Sequence, residues 1–178
     1  MPKRSSHHAA LSLGRAFDRS RIFLDSGDPA HHYIIEAAED ANRMTTLTLE
    51  QAESWIRKAC AKATQLGVKV SAVVVDAGGN PVAFARMDGA GILTPEIARA
   101  KAYTAVAFKS NSKDFAERMK DRPAAGLGLT QASGNRIVLL PGGVLARKGD
   151  EIIGAIGVSG ASSDQDHECG LEALGLPG

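Results

Sequence analysis

Six side chains of this sequence have the types and the spacing to do chemistry. Arg86 and Asp88 flank Met87, Lys101 stands among alanines, and Asp164, Asp166 and His167 sit within one short stretch. The planar fork of Arg86 suits a carboxylate; the alternative is an ion pair with Asp88 that holds the loop. A lysine facing a close-packed surface is buried with a lowered pKa, which a base or Schiff-base former needs. Lys101 fits that description, or is a surface lysine whose stem alone is covered. His167, between Asp166 and Glu168, suits a general base or an axial metal ligand, or is an exposed first-turn residue. Asp164 and Asp166 could share acid–base work. Capping and helix-dipole complementarity also account for them, and residues i and i+2 do not share a helix face.

The elements that must position these groups follow from the apolar pattern. Glu151 to Ser159 predicts a buried strand, with β-branched Ile152, Ile153, Ile156 and Val158. Gly154, Gly157 and Gly160 weaken such a strand unless something approaches its backbone closely. Ser162 with Gln165 then forms a capping-box pattern for a helix over residues 163–174, ended by Gly175 and Pro177. Thr48 and Gln51 form the same pattern ahead of Leu49, Ala52, Ile56, Ala59, Cys60 and Ala63, and Gly67 stops that helix. Val68 to Asp76 and Pro81 to Met87 read as strands joined by a turn rich in glycine and asparagine. Thr94-Pro95-Glu96 opens an alanine-rich helix, and its alanines imply a closely packed neighbour. Ser112 caps a shorter helix containing Phe115 and Met119. Residues 121–134 read as a functional loop and residues 136–140 as a short strand. Residues 143–147 and 151–159 form a second hairpin. Two hairpins imply antiparallel pairing, and strands apolar on both faces imply helices on both sides. The expected class is α+β: a three-layer α/β/α sandwich around a five-stranded antiparallel sheet.

Composition narrows the function. A net charge of +1 offers nothing to nucleic acid or an anionic membrane. Aromatic residues at 4% argue against a base-stacking surface. No apolar run reaches the roughly 20 residues that span a bilayer, and no apolar region follows Lys3 and Arg4 as in an export signal. Cys60 and Cys169 have no metal-ligand spacing, so buried free thiols in a reducing, cytoplasmic compartment are expected. Residues 1–45 differ from residues 46–178. They hold His7-His8 and His31-His32 and too few large apolar residues for a core. They read as a partly helical arm, with helices over residues 9–17 and 29–42, that packs on the domain or on a second subunit.

Several stretches in order resemble the GlcG/HbpS family, which includes the C-terminal domain of PduO-type proteins. They are Val73-Val74-Val75-Asp76-Ala77-Gly78-Gly79, Phe84-Ala85-Arg86-Met87-Asp88-Gly89-Ala90, the alanines around Lys101, Gly142-Gly143-Val144, and Ile153 to Gly160 with Asp166 beyond. The resemblance covers residues 46–175. It implies the same sandwich, a profilin-like arrangement, and symmetric homo-oligomers. It also implies a small ligand, with haem or a corrinoid as candidates. The first reading is therefore a ligand-binding protein. The alternative is a small catabolic enzyme, an isomerase, lyase or hydrolase, with Arg86 anchoring a carboxylate and His167 or Lys101 moving a proton. In both, the expected pocket lies between Arg86-Met87-Asp88, the helix bearing Lys101, and the turn from Gly160 through Ser162 and Asp164 to His167. Its ligand is expected to be anionic, held partly by the first amides of the last helix. His167, with Asp166 beside it, is the expected catalytic or metal-binding residue.

Overall fold

A computed structural model describes residues 46–178. The expected arm, with its helices and histidine pairs, lies outside the described residues. The elements run α1 (Leu49–Gln65), β1 (Ser71–Asp76), β2 (Pro81–Arg86), α2 (Thr94–Phe108), α3 (Ser112–Met119), α4 (Pro123–Ala132), β3 (Gly143–Lys148), β4 (Glu151–Ser159) and α5 (Ser163–Leu174). The class is α+β, five helices and one antiparallel sheet of strand order β2-β1-β4-β3 among the described residues.

Local chemistry explains the boundaries. Thr48 and Gln51 bond reciprocally at the start of α1, and Ser162 and Gln165 do the same at the start of α5. In the β1–β2 turn, the Asp76 carboxylate accepts the amides of Gly78 and Asn80, each at 2.9 Å. Strand alternation then builds two cores. Ala72 and Val74 of β1 join Ala52, Ile56, Ala59 and Ala63 of α1 and Cys169 and Ala173 of α5. Val73 and Val75 join Ala98, Ala102 and Ala105 of α2.

The closest packing is α2 on the β3–β4 hairpin. A Cβ on Gly157 would lie 2.0 Å from the Ala98 carbonyl oxygen, and one on Gly143 would lie 2.0 Å from that of Lys101. Backbone thus meets backbone, which explains both the strand glycines and the helix alanines. At Gly154 the space belongs to the Val75 carbonyl, and at Gly160 to that of Lys69. The glycines that were expected to expose β4 to a ligand are covered by the protein's own chain.

Two expectations are corrected. The sheet has four strands, not five: residues 136–140 are not a strand. Their polar groups go to side chains instead, as Val138 N–H donates to Thr104 Oγ1 and the Leu140 carbonyl accepts Ser112 Oγ–H. The expected loop at residues 121–134 contains α4. Its glycines suggested a loop, yet Gly126 serves packing, since a Cβ there would meet Leu139 Cδ1 at 2.4 Å.

Gly157→Ala is expected to cost about 3 kcal/mol or more, because the obstructing atoms are backbone and cannot swing aside. Thermal unfolding should show a midpoint lower by about 6 °C or more. An unchanged midpoint would mean that α2 stands off the sheet.

Candidate functional site

Lys101 and Asp166 meet in the interior. Lys101 projects from α2 and Asp166 from the first turn of α5, and both side chains are 3% exposed. Lys101 Nζ donates to Asp166 Oδ2 at 2.7 Å and to the Val158 carbonyl at 3.0 Å. Asp166 Oδ1 accepts the Ala161 amide at 3.0 Å. Gly142 closes over the pair, since a Cβ there would lie 3.0 Å from both Lys101 Cδ and Asp166 Cβ. Burial pushes the Lys101 ammonium down and the Asp166 carboxyl up, and their mutual attraction opposes both shifts. The pair ties α2, the end of β4 and the start of α5 together.

The remaining candidates divide between two regions. Arg86, Ser71 and Ser159 stand in one row across β2, β1 and β4. Arg86 donates Nε and Nη2 to the Ala90 carbonyl, at 3.0 and 2.6 Å, and not to Asp88, which is exposed. Met87 packs against the α1–α5 core and donates its amide to the Val70 carbonyl. Gly160 abuts Lys69 and Val70, beside the same end of β1. His167 belongs to the other region. It faces Lys113 and Asp114 at the start of α3, whose neighbour Ser112 accepts the Gly143 amide at the head of β3. Lys113 reaches Asp164 at 3.2 Å. β2 and β3 are opposite edges of the sheet, so Arg86 and His167 do not converge within one chain. Ser162 is engaged in the cap, where its Oγ accepts the Gln165 amide, and Asp166 accepts the Ala161 amide just ahead of the helix.

The geometry adds residues that sequence reasoning passed over. α2 lies over β4, β1 and β3 and barely reaches β2. The α2-facing side of β2 is therefore uncovered, and Phe84 is 56% exposed. A groove of ≈ 210 Å³ runs there, lined by Val73, Pro81, Phe84, Pro95, Glu96 and Arg99. Arg86 is two residues beyond Phe84 on the same face of the strand. Apolar walls with one guanidinium, that of Arg99 paired with Glu96, suit a flat molecule that carries an acid. At the root of α2, Ser71 Oγ and Thr94 Oγ1 lie 2.8 Å apart. Pro81 was the available signal, because proline at the start of a strand marks an edge. Among the described residues, no group of three His, Cys, Asp or Glu side chains could hold a metal ion.

His167 Nδ1 is buried and has no hydrogen-bond partner. Burial, and then Lys113, hold its pKa below 6.5, while Asp114 and Asp164 pull it up. The folded state prefers the neutral ring, so the unfolded chain takes up the proton first as pH falls. The contribution is intact above 6.5 and is lost as pH drops from there toward the folded value. The melting temperature of His167→Gln should accordingly fall less than that of the wild type between neutral and mildly acidic pH. Equal falls would place His167 in water. Lys101→Met strands a buried carboxylate and should cost about 3–5 kcal/mol. Lys101→Met/Asp166→Asn, which keeps an acceptor for the Ala161 amide, should be milder than Lys101→Met alone. A stable Lys101→Met that loses ligand binding would instead make the pair part of a ligand site.

Residues 47–175 match the family model described as haem degrading protein HbpS-like. The chain is 35% identical over 135 residues to an uncharacterized 15.0 kDa protein of the dhaT-dhaS intergenic region of Citrobacter freundii, covering 75% of this chain and 94% of that protein. It is 29% identical to the corrinoid adenosyltransferase PduO of the same organism over 148 residues, 82% of this chain but only 44% of PduO. The solved structure of the PduOC–haem complex superposes with a TM-score of 0.67 at 31% identity, over 73% of this chain and 94% of that one. That of HbpS does so with a TM-score of 0.66 at 33% identity, over 75% and 91%. With its antiparallel sheet, its packing glycines and these matches, the chain belongs to the HbpS-like family.

Proposed function

We propose that this protein binds a small, flat, carboxylate-bearing ligand, with haem or a corrinoid-type tetrapyrrole as the ligand class, and that it works as a cytoplasmic homo-oligomer. The observation that carries the reading is the likeness to a structure solved with haem. The scaffold inferred is the three-layer sandwich, with α1 and α5 on one face and α2 on the other. Two unpaired thiols, Cys60 and Cys169, support a reducing compartment.

The groove beside β2 fits such a ligand in part. Val73, Pro81, Phe84 and Pro95 supply apolar walls for a ring face. Arg99, paired with Glu96 in the groove wall, supplies charge for a carboxylate, and Arg86 stands on the same face of β2 with its Nε and Nη2 held by the Ala90 carbonyl. Among the described residues no imidazole lies there, because His167 is the one histidine among them and stands at the opposite edge of the sheet. The residues therefore fit the macrocycle and its acids and do not fit axial coordination of iron by histidine. Met87, Asp88 and Gly160 border the same sheet end without lining the groove. The enzymatic alternative keeps His167 as its proton carrier, since the Lys101 amine is locked in its ion pair.

Titration with haem should shift the Soret band, and metal-free protoporphyrin should bind within about tenfold of haem, a difference below roughly 1.4 kcal/mol. Arg99→Glu should weaken both by at least about tenfold, whereas His167→Ala should leave both in place. The absence of any shift with the wild type would overturn the reading.

A further inference from the structure

The two outer edges of the sheet are treated differently. On β3 the outward amides are taken: Gly143 N–H donates to Ser112 Oγ at 2.8 Å and Leu145 N–H to Asn111 Oδ1 at 3.0 Å. Side chains from α3 thus close that edge. On β2 the ladder runs the other way. Met87 N–H donates inward to the Val70 carbonyl, so Ala85 and Ala83 continue the inward set, paired with Ala72 and Val74. The amides of Phe84 and Arg86 point away from β1, and no described residue accepts them. An uncovered edge of this kind is a template for another strand.

Its surroundings are apolar and carry both charges. Leu49, which the helical pattern had assigned to the core, is 57% exposed. With Ile56, Val82, Ala83 and Phe84 it lines a second groove of ≈ 330 Å³ on the α1 side of β2. The Glu53–Arg57 pair borders this groove, and the Glu96–Arg99 pair borders the one on the α2 side. Each flank of the edge therefore presents one anion and one cation.

We propose that the free edge of β2, with Leu49 and Phe84 beside it, is where a second copy of this chain docks, the two β2 strands pairing antiparallel about a two-fold axis. An antiparallel edge is complementary to itself under that rotation, which also keeps each flank opposite its own copy. Arg57 then meets the partner subunit's Glu53, and Arg99 meets the partner subunit's Glu96. The four-stranded sheet continues into an antiparallel sheet of twice that width, and the two grooves beside α2 come to lie side by side. This rests on the homo-oligomer of the preceding reading and supplies its interface; it does not rest on the identity of the ligand.

The test is the mass of the full chain by light scattering, without ligand. Leu49→Glu places an acid at the first helical residue of α1, where the helix dipole favours it, and so should leave the fold intact, with the circular dichroism of the wild type. It should halve the mass at a concentration where the wild type is assembled. Arg57→Glu sets like charges across the axis and should do the same, while Glu53→Arg/Arg57→Glu restores complementarity and should restore the mass. An assembled wild type whose variants all keep its mass would overturn the β2 surface and leave the homo-oligomer standing. A monomeric wild type would overturn both, with ligand binding still decided by the haem titration.

Discussion

Backbone-to-backbone contact between α2 and the β3–β4 hairpin is the constraint from which the rest follows. Where a Cβ on Gly143 or Gly157 would stand 2.0 Å from a helix carbonyl, no side chain fits between the layers. The helix can offer that surface only alanines and the stem of Lys101. Contact this close also leaves no water for the lysine head, so its partners must be internal. They are the Val158 carbonyl and Asp166. Asp166 in turn holds the Ala161 amide and so fixes where α5 begins. One contact distance therefore sets the composition of a helix, the presence of a buried ion pair and the start of another helix.

The same constraint decides which surface stays open. Residue types that suggest catalysis, Lys101 and Asp166, are consumed in holding layers together, and the glycines of β4 make room for protein. Because α2 centres on β4, it fails to cover β2, and Phe84 stays half exposed. Leaving half of such a ring in water forgoes about 1–1.5 kcal/mol of burial. Phe84 is not alone in this: Leu49 beside it is also exposed, and together they make an apolar patch along the strand.

Much of the scaffold was legible because it depends on local chemistry. Thr48 with Gln51 and Ser162 with Gln165 are rules read over a few residues, and both form as written; the turn after Asp76 forms too, with positive φ at Gly79 alone and the Asp76 carboxylate holding the rest. The misreadings lie where distant contacts override local signals. Gly126 and Gly128 pointed to a loop, but docking against Leu139 admits a helix at α4. Residues 136–140 have strand-like side chains, yet Thr104 and Ser112 take their polar groups, and no strand lies beside them. The site was harder still. Arg86 and His167 both stood out in the sequence, but only the strand order β2-β1-β4-β3 shows them to be on opposite edges. Arg99 gave no signal and Phe84 entered only as part of a matching stretch, because their exposure comes from what α2 fails to cover.

Phe84 joins the groove to the free edge. Its ring lines the slot beside α2, while its amide points out of the sheet. A ligand in the slot and a strand on the edge would therefore both act on the same short segment of β2. If either event ordered this segment, the other would find it already ordered, and the two would favour each other. Linkage makes the effect reciprocal: the factor by which assembly raises ligand affinity is the factor by which ligand strengthens assembly. A ligand held only by its ring face and carboxylates would depend heavily on such pre-ordering. Its contacts are individually weak, and each degree of freedom already fixed in the empty groove is one that binding no longer has to restrict.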